Sequence, residues 1–560
     1  MQLRLKSGLK NDVFMNILNL IRPSIKALDP YYTARDECGE NRPEIFLDAN
    51  ESPYDNGINR YPDPRQKQLK AKIAAIKGIS PNQLFLGNGS DEAIDLMYRI
   101  FCAPGEENAV LMAPSYGMYE VAAGMNDVAV RKVQLKQDFS LDVDGMLSAA
   151  DSRTKLMFVC SPNNPTGNSF PQEDIEKLLR GFGGAVVLDE AYIDFSNRGT
   201  LVPLIEKYPN LVVLQTLSKA WGMAGLRIGL AIAMPEIVAT MNKVKYPYNI
   251  NILAQKMALT KLDEDAKNRR VAEIIGDRFR VEKALAECPN VQKIYPSDSN
   301  FILVKVTDPE GLYAKLLQNG IIVRNRSQVK GCEGCLRITI GTPFENDRLL
   351  DVLGVGPGKD RNGVERLGER HVRLKRKTKE TSVSLELDLD KGGISEISTG
   401  LDFFDHMLEQ IPHHGGVSLR VKVEGDLQVD DHHTIEDTGI ALGEAINAAL
   451  GDKMGIARYG FVLPMDDCDA AVLMDFGGRT DFQWKAEFHR EKVGDMSTEM
   501  FRHFFQSACT GAKCNLHIEA RGGNEHHKAE AIFKGFARTL RMAAAKNEFP
   551  YEIPSSKGIL

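Results

Sequence analysis

All 11 histidines of this 560-residue chain lie between His371 and His527, and the first 370 residues contain none. Imidazole is the side chain best suited to metal ligation and to proton transfer near neutral pH. Its segregation implies two different chemistries joined end to end. The length allows this, since a single hydrophobic core seldom organises more than about 250–300 residues. Between the two regions, VLGVGPGKDRNGVERLGER (352–370) mixes glycines, a proline and both signs of charge without an apolar period, as a linker does. The boundary is placed within 355–368, giving domains over 1–354 and 369–560.

Hydrophobic residues at 43%, charged residues at 26% and a net charge of −6 are ordinary globular values, with no field for nucleic acid or membrane. Small-molecule substrates are the default. MQLRLKSGLKNDVFMNILNLIRP has no uninterrupted apolar stretch of the secretory kind, and no apolar run of about 18 residues follows, so a cytoplasmic location is expected. The nine cysteines lack the density of a disulfide scaffold and are expected to be reduced thiols. Cys332 and Cys335 form a CxxC with no second pair at zinc-ribbon spacing, and are expected to form an ordinary turn.

Before the linker, apolar runs such as AVLMAP (109–114), KLMFVCSP (155–162), GAVVLDEAY (184–192) and LVVLQTLS (211–218) alternate with helical stretches. This is an α/β pattern around a buried sheet. Polar residues cluster where these strands end, the usual place for ligands in open α/β sheets. Lys219 follows one such strand in TLSKAWGMAGLRIGL, with Ser218 before it and Arg227 eight residues on. A lone lysine is most often a solvated surface group. Here Asp189 ends another strand, where a buried carboxylate needs a cationic partner. Tyr192 and Asn164 offer donors, and GNGSDEAIDLM (87–97) turns from glycine-rich chain into helix, so amides near Gly89, Ser90 and Asp91 can meet an anion. An amine, a carboxylate, phenolate donors and an anion cradle are together what pyridoxal 5'-phosphate requires.

In order and spacing these residues resemble the fold-type I aminotransferases, which implies a three-layer αβα large domain plus a small α/β domain. Through LDANESPY, RYPDP, PSYGMYE, SPNNPTG, DEAYIDF, SKAWGMAGLRIG and CLRITIGT the resemblance narrows to the histidinol-phosphate aminotransferase family, over roughly 15–354. It implies Lys219 as the Schiff-base lysine, Asp189 as partner of the pyridine nitrogen, and Asn164 and Tyr192 as phenolate donors. Ser90, Ser218 and Arg227 would hold the cofactor phosphate, Tyr116 would stack on the ring, and Tyr54 would reach a cofactor phosphate across a dimer interface. Arg337 and Arg324, with Asn50 and Tyr31, would bind the substrate's anionic end. One guanidinium fork can serve both glutamate and a phosphate ester. Threonine-phosphate decarboxylases share similar signatures; in that alternative the substrate loses carbon dioxide in place of a proton.

After the linker the chain repeats itself. His406 in FFDHMLEQI precedes His432 in DDHHTIEDT by 26 residues, and His503 in FRHFFQS precedes His526 in NEHHKAEA by 23. Each half reads as a helix with one histidine, an alternating strand, and HHxxE opening a second helix: an internally duplicated α/β domain whose halves each make part of a site. On a helix the first His and the Glu share a face and can share a metal, while His433 and His527 point elsewhere. With Glu436 and Glu530 the set suffices for two sites of three His and one Glu. Imidazole and carboxylate without thiolate suit a borderline or hard divalent ion such as Mn²⁺, with Zn²⁺ and Fe²⁺ left open.

TGLDFFDHMLEQI, GDLQVDDHHTIEDTGIALGEA, GIARYGFVLPMDD, STEMFRHFF, HHKAEAIFKGFARTLR and SSKG resemble imidazoleglycerol-phosphate dehydratase from 375 to the end. That resemblance implies a dinuclear site with His406, His432, His433, Glu436, His503, His526, His527 and Glu530 as ligands. It places Arg458, Arg479, Lys534, Ser555 and Lys557 around the substrate phosphate, with Ser555 against Ser556 open. Glu380 in TKET matches a mobile glutamate and is the candidate acid/base, with Asp405 second. The proton to be removed is not acidic, so a metal pair that holds the imidazole as its anion would expel the neighbouring hydroxyl. The resulting enol tautomerises to imidazole-acetol phosphate, the acceptor an aminotransferase of this kind would take with glutamate. Aminotransferase dimers within a larger closed homo-oligomer are expected. The rival reading, a metal-binding module that merely assembles an aminotransferase, has no need of the anion pocket.

Overall fold

The computed structural model describes residues 17–30, 45–356, 364–451, 453, 455–460 and 463–546. Tyr31, Ser555 and Lys557, and residues 357–363 of the expected linker, lie outside them. The chain divides into two compact units, Met1–Gly356 and Pro357–Leu560. Each is described by itself.

The first unit is built on a seven-stranded sheet of β1 (Leu84–Asn88), β2 (Asn108–Ala113), β3 (Ala129–Gln134), β4 (Thr154–Cys160), β5 (Ala185–Asp189), β6 (Leu211–Thr216) and β7 (Ile228–Ile232), in the order β1-β7-β6-β5-β4-β2-β3. Only β7 runs antiparallel to its neighbours. β5, β6 and β7 are buried at every residue because helices cover both faces, whereas the edge strand β3 reads AVRKVQ and stays partly exposed. The pleat divides β5 between two cores: Val186 and Leu188 pack with Met157, Ile175 and Leu178, and Ala185 and Val187 with Ile94, Phe101 and Phe158. Each such buried Val or Leu is worth about 1.5–3 kcal/mol. This is the expected three-layer arrangement.

A smaller antiparallel sheet follows, of β8 (Val291–Ile294), β9 (Phe301–Val306), β10 (Arg324–Asn325) and β11 (Cys335–Thr339), ordered β10-β11-β9-β8. Val304, Leu336 and Ile338 pack with Val281, Leu285, Leu349 and Leu350 of flanking helices. The register sets Arg324 opposite Arg337.

In the second unit β12 (Val364–Arg366), β13 (His371–Lys377), β14 (Thr381–Asp388), β15 (Ser395–Ser398) and β16 (Ser418–Gly425) form one sheet, ordered β12-β13-β14-β16-β15. β17 (Tyr459–Gly460), β18 (Leu463–Met465), β19 (Cys468–Asp475) and β20 (Asp481–Lys485) join a later strand, Asn515–Arg521, in the other. The duplication is explicit in the pairing. β16 is antiparallel to β14 and parallel to β15, and Asn515–Arg521 is antiparallel to β19 and parallel to β20. Four helices, Asp402–Gly415, His432–Leu450, Glu499–Ala512 and Glu525–Ala544, share one apolar core with both sheets. They pair across the halves: Asp402–Gly415 packs on Glu525–Ala544, and His432–Leu450 on Glu499–Ala512.

Residues 364–366 fall inside the expected linker, yet they form β12 against β13, with Val364 buried. Three residues are too short to show a period in sequence. Among the described residues no helix is long and apolar enough to cross a membrane.

Candidate active sites

The carboxyl ends of β4, β5 and β6 open on a cavity of about 830 Å³ in the first unit. Lys219, Asp189, Tyr192 and Asn164 line it, as do Gly89, Ser90, Asp91, Tyr116, Ser218 and Arg227, and on another side Arg324 and Arg337. Twelve sequence-predicted residues, scattered over 249 positions, thus meet in one place. Tyr54 and Asn50 are not among its lining residues; Tyr54 is 83% exposed.

Asp189 ends β5 with 3% exposure. It accepts the Tyr119 hydroxyl at 2.6 Å and the Ala191 N–H at 3.0 Å. Burial pushes its pKa up, which those donors oppose. Lys219 follows β6, its Nζ 5.4 Å from the centre of the Tyr192 ring. Partial desolvation in the cavity and then the charge of Arg337 lower its pKa, while Asp189 pulls the other way. Tyr192 is buried against Phe301, with ring centres 5.1 Å apart. Arg337 donates to Asn164 Oδ1 at 2.5 Å, so Asn164 has its amide N–H groups to offer the cavity.

The anion cradle lies where β1 turns into the helix Ser90–Phe101. Gly89 has φ +76°, and a Cβ there would sit 2.6 Å from Arg227 Nη2. A Cβ on Gly229 of β7 would collide with the Ser90 nitrogen. Asp91 accepts from the Tyr116 hydroxyl at 3.0 Å and from Arg227 at 3.3 Å, fixing both around the helix N-terminus. The donor set and the cradle fit pyridoxal phosphate: backbone amides and a guanidinium for the phosphate, a dry carboxylate for the ring nitrogen, and an amine whose pKa is lowered.

Two residues here escaped sequence reasoning. Tyr119 stands three residues after Tyr116 in PSYGMYE, within the helix Met118–Met125 that Tyr116 precedes, and no local pattern points its hydroxyl at Asp189. Arg326 also lines the cavity; its signal was the alternation Arg324-Asn325-Arg326 on a strand.

In the second unit the histidines gather in two groups, and each draws on both halves. His406, from the first half, lies with His526 and Glu530 from the second, their ligand atoms all within 4.8 Å of one another. In the other group His432 Nε2 is 3.5 Å from Glu436 Oε2, and the rings of His432 and His503 are 5.3 Å apart. Among the described residues the donors of the first group converge closely enough for one divalent ion, while in the second only the His432–Glu436 and His432–His503 approaches are seen. His433 and His527 turn away: Nδ1 of His433 meets Asp426 at 3.1 Å, and Nδ1 of His527 meets Asp467 at 2.9 Å. A carboxylate on one ring nitrogen leaves the other directed for metal. Asp426 and Asp467 were not foreseen.

Lys534 bonds Glu530 Oε1 at 2.7 Å, so an expected phosphate residue adjoins an expected metal ligand. Arg458 is paired with Asp475, Nη2 to Oδ2 at 2.9 Å, and Arg479 is exposed in the turn after β19. Glu380 stands in the turn between β13 and β14, where its charge acts on His433. Thr378 and Thr381 hold that turn to Asp437. Asp405 Oδ1 accepts the N–H and hydroxyl of Thr399 at 2.8 and 2.6 Å.

The fold and the first cavity define an aminotransferase: residues 39–353 match the family of aminotransferase class I and II, and the chain belongs to that family. Residues 399–540 match the imidazoleglycerol-phosphate dehydratase family. The histidinol-phosphate aminotransferase of Parabacteroides distasonis is 52% identical over 339 residues, 60% of this chain and 98% of that protein. That of Flavobacterium psychrophilum is 49% identical, again over 60% of this chain and 98% of its own. A solved histidinol-phosphate aminotransferase from Clostridium acetobutylicum matches 53% of this chain and 90% of its own at 25% identity, with a TM-score of 0.49. The chain is a bifunctional enzyme of histidine biosynthesis. Its aminotransferase family implies pyridoxal phosphate, and its dehydratase family a divalent metal.

Proposed function

We propose that the second unit dehydrates imidazoleglycerol phosphate to imidazole-acetol phosphate, and that the first transaminates this product with glutamate to histidinol phosphate and 2-oxoglutarate. The observation that carries the reading is the presence in one chain of both the Lys219–Asp189 cavity and the gathered His406, His526 and Glu530 beside a His432–Glu436 pair. Bound pyridoxal phosphate supplies the electron sink. Lys219 Nζ, kept easily deprotonated, moves the proton at the substrate carbon. Asp189 holds positive charge on the ring nitrogen, and Asn164 and Tyr192 donate to the phenolic oxygen. Ser90, Ser218 and Arg227 hold the phosphate, and Tyr116 stacks on the ring. Arg324 and Arg337 grip the substrate's far anion. Tyr54, outside the cavity, reaches a cofactor phosphate in a partner's site across a homodimer, and Asn50 joins the arginines at the substrate's anionic end.

Two divalent ions, Mn²⁺ by donor type, supply Lewis acidity toward the substrate's imidazole. His433 and His527, their Nδ1 atoms held by Asp426 and Asp467, supply the third imidazole to groups of a neighbouring copy in a closed homo-oligomer. Lys534, Arg458 and Arg479 bind the phosphate. Glu380, beside His433, is the acid/base; Asp405, tied to Thr399, is second to it. The setting is cytoplasmic.

The test supplies the intact holoenzyme with imidazoleglycerol phosphate and glutamate and follows products by mass spectrometry. Histidinol phosphate is expected from the natural chain, and imidazole-acetol phosphate alone from Lys219→Ala. Histidinol phosphate from that variant, or no dehydration by either, sinks the reading.

A further inference from the structure

The small sheet concentrates positive charge to an unusual degree. Arg324 on β10 is directly opposite Arg337 on β11. The Arg326 N–H donates to the Cys335 carbonyl at 2.8 Å, continuing the same register. Side chains alternate along a strand, so Arg324, Arg326 and Arg337 share one face, and all three line the cavity that holds Lys219. Like charges opposite one another in a ladder are unfavourable by themselves.

Among the described residues no carboxylate pairs with any of the three. Glu310 bonds Asn325, whose side chain belongs to the other face. The groups acting on Arg326 are Arg324, Cys332 and Tyr192; those acting on Arg337 are Tyr192, Arg326 and Arg324. In both guanidiniums burial is the largest effect and lowers the pKa. The Nε atoms of Arg326 and Arg337 are buried without a hydrogen-bond partner, and a buried charged donor left unmatched is costly. Like-charged groups with unspent donors around one cavity are stabilised by an anion, and more so by a dianion.

Building on the aminotransferase reading, we propose that Arg326 is a third substrate-binding guanidinium, which makes the pocket favour a dianionic phosphate ester over a carboxylate. Arg324 and Arg337 suffice to grip either anion as a fork. The added charge of Arg326 acts about twice as strongly on a phosphate dianion as on a carboxylate.

The experiment measures kcat/KM of the holoenzyme for histidinol phosphate and for glutamate, in the natural chain and in Arg326→Gln and Arg326→Lys. In Arg326→Gln the ratio of ester to glutamate should fall about tenfold or more, with Arg326→Lys recovering part of it. Inorganic phosphate should also inhibit Arg326→Gln less than the natural chain. A ratio that stays within about threefold in Arg326→Gln overturns the proposal, as does an equal loss for both substrates, which marks a scaffold role. Failure of the natural holoenzyme to transaminate histidinol phosphate would instead refute the function assigned above. If Arg326→Gln does not fold, the ratio in Arg326→Lys decides alone, with at least a threefold fall expected.

Discussion

Tyr119 gives its hydroxyl to Asp189, both almost fully buried in the cavity wall. A hydrogen bond to a buried charged group contributes about 1.5–3 kcal/mol. Tyr119→Phe is therefore expected to slow the glutamate half-reaction by about tenfold or more. Stopped-flow absorbance of the cofactor is the measurement, and a rate within twofold of the natural chain counts against the role. Tyr119 was not foreseen because its partner stands 70 residues away, and a tyrosine on a helix says nothing about where its hydroxyl ends. Asp467 was missed for the same reason, 60 residues from His527. Lys219, Asp189 and the HHxxE residues were legible because each lies in a local pattern, a strand end or a helical i,i+4 pair, that constrains its direction.

The helices His432–Leu450 and Glu499–Ala512 approach until backbones touch. A Cβ on Gly443 would collide with Ala508 O and lie 2.7 Å from Ala512 N, and one on Gly439 would lie 2.7 Å from Phe504 O. These helices carry His432, Glu436 and His503, so their spacing sets how closely these side chains meet. Gly443→Ala is expected to destabilise the unit by about 1–3 kcal/mol through overpacking. It should also loosen metal at His432 and His503, read by denaturation and by metal analysis after dialysis. Gly276→Ala is the contrast: nothing lies within 4 Å of its added Cβ, and a helical Gly→Ala there should stabilise by about 0.5–1 kcal/mol. Equal effects from the two would refute the close-approach argument. Sequence showed the helices through their periodicity, but not which would pair. The partners belong to opposite halves, and β12 is too short to have a period at all.

At the scale of the whole chain the two chemistries draw on different equipment. Chelation is expected to stop dehydration while transamination by the cofactor-loaded chain continues, since among the described residues no histidine lines the Lys219 cavity. Parallel assays before and after chelation and metal readdition check this; a matching loss of transamination contradicts it. The crossed pairing of the histidines carries a further consequence. Because His406 meets His526 and Glu530, and His503 lies against His432, each half contributes side chains to both histidine groups and owns neither. A free half could close these groups only by embracing a second half. The duplicated unit thus joins in one polypeptide two halves that complete each other's histidine groups.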